Sequence, residues 1–534
     1  MERNEQSGAV TQTNAIAFQR SGTLILDTSR DANGRVEDQL RQFAELSSAA
    51  GSLHTYQVTD LSLWSAASSG MTASDVTGAL TRHASNRIPS VLVRRIDEYF
   101  GRFGAITLTG TPESLRLESG DPVLLQYVGE LLDCRPAQGV IHLPSGSQGQ
   151  ILAKLGRAGY PVVDQVFEGT DESGGFQLCS DFALRDYQEQ AVQRFVQGRD
   201  RGGVVLLPCG AGKTVVGVAA AAALDTRTLV VTPNRTVGEQ WADHFQRLTT
   251  LSAGDVALFD GIDSSKPVNI VTYQALTGST GDVTATLHEA SSVPWGLIIY
   301  DEVHSLPADV FRQSAVLRTR RRLGLTATLV REDGRENEVF SLVGPPVWRS
   351  RWRDLERQGW ISPVECFEIR VRSNRDVQTG ERGLMAKIRT VERILARHPD
   401  DRTLIAAHRI NHVRALATRL KVPAITGETS TRERSALYQA FRDGEIRTLV
   451  VSRVANVGVD LPDANVLIQV SGTFGSRLEE AQRVGRLLRP KEQQKPARFY
   501  SLVLPDSRER EFAERRQRFL IEQGYRYEVV NTTA

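Results

Sequence analysis

Cysteine is scarce in this chain, and its spacing limits it as much as its number. The four thiols, Cys134, Cys179, Cys209 and Cys366, include no C-x-x-C pair. That excludes a Cys-only zinc site and an iron–sulfur cluster, and leaves reduced thiols in a cytosolic setting as the expectation. Long apolar runs are also missing. No stretch reaches the ~18 apolar residues that a membrane span needs, and the first residues carry Glu2, Arg3, Asn4, Glu5 and Gln6 where a secretory signal would be apolar. Lysine is the third shortage: among 65 basic residues only Lys154, Lys213, Lys266, Lys387, Lys421, Lys491 and Lys495 are lysines, and 63 acidic residues nearly balance the charge. Positive charge therefore sits on Arg forks, which suit bidentate phosphate contacts, although a GC-rich coding genome produces the same bias. With 534 residues, 40% apolar and 24% charged, the chain reads as soluble and globular and splits into three or four domains.

Residues 1–20 read as a disordered tail. Order is expected from Thr23-Leu24-Ile25-Leu26, a short run with β character. Leu40, Phe43 and Leu46 fall at helical spacing, and Thr72-x-x-Asp75 is a capping-box start for a helix to His83. Pro89 opens another helix with Leu92, Ile96 and Tyr99 on one face, and Ala105 to Leu108 alternates as a strand. This α+β texture continues to about residue 165, and Gly169 to Gly175 reads as a linker.

From Val204 the pattern changes. Buried strands alternate with helices at Val204–Leu207, Thr228–Thr232, Val268–Thr272, Leu297–Tyr300 and Arg322–Thr326, the mark of a parallel, helix-covered sheet. A second series follows Trp360: Cys366–Val371, Thr403–Ala407, Ala424-Ile425, Thr448–Ser452, Val466–Val470 and Phe499–Val503, with a helix Leu384–His398 between strands. The expected fold is α/β, with two tandem parallel-sheet domains (176–345 and 346–534) preceded by a smaller α+β domain over 21–170. No sequence repeat is visible.

The first of these strands runs into Pro208-Cys209-Gly210-Ala211-Gly212-Lys213-Thr214 and then an apolar helix. A glycine loop at a helix start offers backbone N–H groups of Gly210, Ala211 and Gly212 to phosphates, an ammonium at Lys213 and a hydroxyl for Mg²⁺ at Thr214. Leu207 stands where the strict phosphate-loop pattern has its first Gly, and the short string alone would serve a kinase, a transporter or a GTPase equally well. Asp301 and Glu302 narrow the choice. They close an apolar strand, where carboxylates face the ligand crevice of a parallel sheet. Asp301 then anchors the metal and Glu302 prepares the attacking water. His304 is either a hydrogen-bonded core residue or a link from the nucleotide pocket to Thr326-Ala327-Thr328. Downstream, Arg483, Arg486 and Arg489 in Gln482 to Arg489 lie three residues apart, so a helix start would cluster them. Presented across a cleft, Arg486 and Arg489 would stabilise transferred phosphoryl charge.

The ordered set resembles superfamily 2 helicases and, more narrowly, the XPB type of DNA helicase. The narrower likeness rests on Asp301-Glu302-Val303-His304, on Gly324 to Asp333, on Gly472-Thr473-Phe474-Gly475-Ser476-Arg477, and on the tail segments Phe499 to Val503, Arg515 to Leu520 and Gln523 to Tyr525. It spans Leu184 to Val529 and extends loosely to Phe43 to Leu46 and His54 to Tyr56.

The resemblance implies that the two sheet domains are RecA-like motor domains, and it implies further roles. Arg185 and Gln188 belong to an adenine-reading segment, and Asp460, with Ser452 and Gly458, to a motif coupling ATP to strand binding. Pro233, Asn234, Arg235, Thr272, Tyr273 and Gln274 match elements that touch the DNA backbone, whose contacts are more sensitive to salt than to sequence. Arg331, Glu332 and Asp333 match a strand-separating element, and Gln482 joins Arg486 and Arg489 in catalysis. One departure is notable: the family's thumb-like insertion is reduced to a short polar stretch, Ser373 to Gly383.

The implied activity is ATP-dependent 3′-to-5′ unwinding by a bacterial, cytoplasmic, nucleoid-associated enzyme. ATP and Mg²⁺ are its cofactors, and its partners are DNA, as single strand and as fork or duplex, and a nuclease or repair protein. The competing readings are a double-strand translocase that never separates strands, suggested by the short thumb, and a non-catalytic DNA-binding scaffold, against which Lys213, Asp301, Glu302 and Arg486 argue.

Overall fold

The structure is a computed structural model. It describes residues 14–532 apart from 32, 51, 112, 167–172, 199–200, 209, 260, 278–283, 306–313, 315, 328–335, 372–380, 453–463, 472–495, 505–508, 512, 514–516, 518–519, 522, 524 and 526. The chain divides into two compact units, Met1–Phe167 and Glu168–Ala534.

In the first unit, β1 (Ile16–Phe18), β2 (Leu24–Asp27), β3 (Glu45–Ala50) and β4 (Leu53–Gln57) form an antiparallel sheet in the order β1-β2-β4-β3. Two expectations are corrected here. Ile16–Phe18 lies inside the stretch read as a tail, but pairs with Leu24–Leu26 and buries Ile16 and Phe18. Leu46 is not helical: the helix ends at Leu40, and Leu46 pairs with Tyr56 across β3 and β4. Long-range pairing there overrides a local helical spacing.

The helix Ala73–His83 carries the expected box, with Thr72 and Asp75 capping each other reciprocally. Ser90–Arg102 buries Leu92, Ile96 and Tyr99. A second sheet, of β5 (Ile106–Thr111), β6 (Ser114–Glu118), β7 (Val140–Leu143) and β8 (Val162–Asp164), has the order β7-β6-β5-β8.

The second unit holds two seven-stranded sheets, parallel throughout. The first lobe contains β9 (Gly202–Leu206), β10 (Thr228–Thr232), β11 (Val256–Leu258), β12 (Val268–Thr272), β13 (Trp295–Asp301), β14 (Thr319–Thr326) and β15 (Pro346–Arg349), ordered β11-β12-β10-β13-β14-β9-β15. The second contains β16 (Val364–Val371), β17 (Thr403–Ala406), β18 (Ala424–Ile425), β19 (Thr448–Val451), β20 (Val466–Gln469), β21 (Ala497–Val503) and β22 (Tyr527–Thr532), ordered β18-β19-β17-β20-β21-β16-β22. Counted in chain order, both lobes read third, fourth, second, fifth, sixth, first, seventh. The fold thus repeats where the sequence does not.

The boundary at 345/346 is corrected as well. Pro346–Arg349 completes the first sheet beside β9, so the first lobe extends past it and the connection to β16 begins at Ser350. Ser173 to Gly175, read as linker, are tied to the first lobe: Ser173 Oγ donates to Asp225 and Gly174 N donates to the Asp225 carbonyl.

The helix Lys213–Leu224 explains the tight packing of the first lobe. Val216 to Ala222 are buried, and their small side chains let the sheet and the flanking helices approach closely. Gly217 is the extreme case, because a Cβ there would collide with the ring of the fully buried Trp241.

Candidate active site

The site forms at the C-terminal edge of the first sheet, where the strand order brings two distant segments together. β14 separates β9 from β13, with Thr326 opposite Leu206 and Leu325 opposite Asp301. The loop leaving β9 and the acidic pair leaving β13 therefore converge over the end of β14. Gly210 and Gly212 have φ of 81° and 77°, left-handed values that cost little only for glycine. Gly212 is the N-cap of Lys213–Leu224, so the N–H groups of the first helical turn point toward the loop. Thr214, in that turn, is half-buried.

Lys213 Nζ donates to Glu302 Oε1 at 2.8 Å, with both side chains largely shielded. Glu302 has φ of 49°, a left-handed conformation that costs a non-glycine residue on the order of 1–3 kcal/mol. The Lys213 pair offsets part of that cost. Asp301 is 5% exposed and receives the Trp241 indole N–H at 2.9 Å on one oxygen and the Glu302 N–H at 2.9 Å on the other. Burial, reinforced by the neighbouring Glu302 charge, pushes its carboxyl up to about 6, against the pull of Lys213 and the Trp241 bond. His304 is buried, its Nδ1 lying 2.6 Å from Thr326 Oγ1 and 3.4 Å from Glu302 Oε2. The end of β14 is thereby connected to the acidic pair.

The segment expected to read adenine packs on the loop. Gln188 is buried; its Oε1 accepts from Arg185 N at 3.0 Å and its Nε2 donates to the Ala211 carbonyl at 3.1 Å. Tyr187 OH donates to the same carbonyl at 2.8 Å. Gln188 thus braces the phosphate loop, which sequence reasoning did not anticipate. A Cβ at Gly212 would stand 2.5 Å from Gln188 Nε2. The Arg185 guanidinium lies over the Trp360 ring, 4.7 Å from its centroid, and donates to Tyr187 OH.

The expected DNA-contacting residues lie at and after the C-terminal ends of β10, the neighbour of the acidic strand, and of β12 on its far side. Asn234 caps Arg235–Leu248 through Oδ1, Pro233 is half-buried, and Arg235 is exposed with its guanidinium over Phe259. Thr272 Oγ1 accepts from Ala275 N, and Gln274 is exposed. The Tyr273 side chain is buried and its hydroxyl donates to the Asp301 carbonyl at 2.6 Å, so the ring holds the acidic turn. Ser452 is buried, its N–H donating to the Ile425 carbonyl. Thr328, Arg331, Glu332, Asp333, the 373–380 part of the polar stretch, Gly458, Asp460, Gln482, Arg483, Arg486 and Arg489 lie outside the described residues.

Sequence reasoning missed Tyr187, Trp241 and Trp360. Tyr187 adjoins a singled-out Gln, which was a usable signal. Trp241 sits on the apolar face of its helix like any core aromatic, and nothing local marks its indole for a carboxylate 60 residues away. Among the described residues no group of three or more His, Cys, Asp or Glu forms a metal cluster, and no helix is long and apolar enough to cross a membrane.

Comparison with known proteins gives three family matches: ERCC3/RAD25/XPB C-terminal helicase over residues 385–534, helicase conserved C-terminal domain over 16–139, and type III restriction enzyme, res subunit, over 181–331. The chain is 41% identical to DNA 3′-5′ helicase XPB of Kineococcus radiotolerans, over 97% of this chain and 96% of that one. It is 41% identical to DNA 3′-5′ helicase XPB of Mycobacterium tuberculosis, over 96% and 97%. At 30% it matches the general transcription and DNA repair factor IIH helicase/translocase subunit XPB of Enterocytozoon bieneusi, over 95% and 91%. Among solved structures, an ATP-dependent type ISP restriction-modification enzyme bound to DNA, LlaBIII, shares the fold at TM-score 0.52 and 14% identity, over 66% of this chain and 31% of that one.

Proposed function

Because the chain belongs to the XPB family of DNA helicases, we propose that it is an ATP-dependent 3′-to-5′ DNA helicase that burns ATP at the Lys213–Asp301–Glu302 site to move along and separate DNA strands. The convergence of Lys213 and Glu302 at 2.8 Å beside a buried Asp301 carries the reading. It joins a phosphate-binding ammonium, a base and an acidic anchor at one sheet edge, in a chain related to named helicases over nearly its full length.

Each residue has a task in this reading. The first-turn N–H groups and Lys213 bind the β/γ phosphates, the γ-phosphate taking the ammonium from Glu302. Glu302 Oε1, so released, accepts a proton from the attacking water. Asp301 and Thr214 are hard oxygen donors of the kind Mg²⁺ takes. They lie at the sheet edge with Lys213 and Glu302, and Mg²⁺ held by them would supply neutralising charge for the phosphates. Arg486 and Arg489 from the second lobe supply the remaining positive charge, with Gln482 beside them and Asp460 linking the nucleotide to strand binding. Arg235 and Gln274, exposed beyond the ends of β10 and β12, meet DNA phosphates and sugars, and Arg331, Glu332 and Asp333 act at the fork. The chain works on chromosomal DNA at the nucleoid, with a nuclease or repair protein as its partner.

The test is DNA-stimulated ATP hydrolysis together with unwinding of a forked duplex bearing a 3′ tail. Lys213→Ala and Glu302→Gln should each lower turnover by at least about 10²-fold, in line with losing one main electrostatic or acid–base contribution. Turnover unchanged in both would refute the site. Triplex displacement without fork unwinding would leave the site standing and refute strand separation.

A further inference from the structure

The segment joining the two motor sheets makes a contact that the reading above leaves unused. After β15 the chain forms a short helix, Trp352–Arg357, whose Trp352 and Leu355 are buried in the same core as Val364, Cys366 and Tyr525 of the second lobe. The helix stops at Gly359, whose φ is 76°. Gly359 N donates to the Glu356 carbonyl and Trp360 N to the Leu355 carbonyl, both at 2.9 Å. This paired closure, with a glycine in the left-handed region, is a Schellman cap, and it sets where the next residue points. That residue, Trp360, is half-buried and faces the start of the helix Asp186–Gln197 in the first lobe. Its ring lies under the Arg185 guanidinium at 4.7 Å and meets the Tyr187 ring edge-on, with centroids 6.3 Å apart. Tyr187 and Gln188 both donate to the Ala211 carbonyl inside the phosphate loop. Four residues beyond Trp360, β16 begins the second sheet.

We propose that Trp360 is a positioning residue for the nucleotide. From the connection between the two sheets it fixes Arg185 and Tyr187, and through Tyr187 the phosphate loop, so that loop geometry and the setting of the second lobe are coupled. The proposal rests on the assignment of Gly210 to Thr214 as the ATP site. The physical basis is twofold. A guanidinium over an indole face and an edge-on aromatic contact are worth enough to hold one arrangement over another. The connection also has two ends, one continuing from the last strand of the first sheet and the other opening the second. A rotation of the second lobe must therefore either carry Trp360 away from Arg185 or pull on the Ala211 bracket.

The experiment uses the full chain and measures KM for ATP, kcat, and the ratio of hydrolysis with and without single-stranded DNA. Variants are Trp360→Phe, Trp360→Leu, Arg185→Met, the double Trp360→Leu/Arg185→Met, and Lys213→Ala as the control for the site itself. Trp360→Leu should raise KM about 5- to 10-fold, the range a cation–π contact of this kind supplies, and reduce DNA stimulation. Trp360→Phe, which keeps an aromatic face, should stay within about 2-fold of the parent. Arg185→Met should also raise KM, and the double variant should fall short of the product of the two single effects, because both break the same guanidinium–indole contact.

A second readout is binding of the non-hydrolysable analogue AMP-PNP with Mg²⁺, followed by intrinsic fluorescence. The part of the signal lost in Trp360→Phe should be the part that responds to nucleotide. Single-variant effects that multiply in the double, or KM and DNA stimulation unchanged in Trp360→Leu while Lys213→Ala abolishes hydrolysis, would overturn the coupling and leave the ATP site intact. Hydrolysis surviving Lys213→Ala would overturn the site itself.

Discussion

Gly217→Ala should change the sign of its effect on stability according to what stands at position 241. Gly217 lies in the middle of the helix Lys213–Leu224, where alanine is ordinarily favoured over glycine by about 1 kcal/mol. Here a Cβ would collide with the outer six-membered ring of Trp241, the atoms a phenylalanine lacks, and would stand 3.0 Å from Leu325 Cδ1. In the parent chain the substitution overpacks the core and should cost roughly 1–3 kcal/mol. Trp241→Phe alone removes that ring and the indole donor to Asp301 Oδ2. It should cost about 1.5–3 kcal/mol for the bond to a buried carboxylate, with a further contribution from the void left behind. In the double variant the alanine methyl occupies part of the vacated space, and only the helical preference and the Leu325 contact remain. Gly217→Ala should then be neutral or stabilising by up to about 1 kcal/mol, a coupling of roughly 1–4 kcal/mol between the two positions. The assay is the urea midpoint by circular dichroism, paired with hydrogen exchange of the β10 and β13 amides to localise the effect to the first lobe. Simple additivity, with Gly217→Ala equally costly in both backgrounds, would refute the packing argument.

Three other outcomes follow from the same geometry. Gly212→Ala forces alanine to φ of 77° with its Cβ 2.5 Å from Gln188 Nε2, so ADP affinity measured by calorimetry should fall at least about 10-fold from the lost phosphate cradle. Thr326→Val deletes the hydroxyl 2.6 Å from His304 Nδ1; it should destabilise the first lobe by about 1–3 kcal/mol in thermal unfolding and lower DNA-stimulated turnover more than ADP affinity. In the first unit, burial works against the Glu37 carboxylate, but His54, Tyr56 and Arg41 outweigh it and hold the group well below the usual carboxylate range. A depressed acid stabilises the fold above its unfolded pKa and loses that contribution as pH falls toward the folded one. Glu37→Gln should therefore cost roughly 2–3 kcal/mol at pH 7 and flatten the loss of stability below about pH 4.5, measured by melting across pH 3–8.

Much of the architecture was legible because short-range rules govern it. The runs Thr228–Thr232 and Val268–Thr272 coincide with β10 and β12, since strands buried on both faces must be continuous apolar runs. Thr72 and Asp75 cap their helix as the spacing predicts, because capping involves only residues three apart. Lys213 and the Asp301-Glu302 pair were recognisable for a related reason: phosphate loops and acidic strand ends have local grammar.

What the sequence by itself determined is therefore the inventory: two series of buried strands, a glycine loop, an acidic pair and their order. Tertiary structure alone decided how they meet. The strand order that sets β14 between β9 and β13, and the same order in both lobes, depend on pairings between segments tens of residues apart, which no local window records. β11, β15 and β22 went unread because they are edge strands whose identity comes from a neighbour's free hydrogen-bonding groups. Tyr273 turned inward to Asp301, and Trp241 and Trp360 became a carboxylate donor and a guanidinium platform, because an aromatic side chain carries the same local signature whether it fills a core or faces a functional group. Its role is set by what the rest of the chain places within a few ångströms of it.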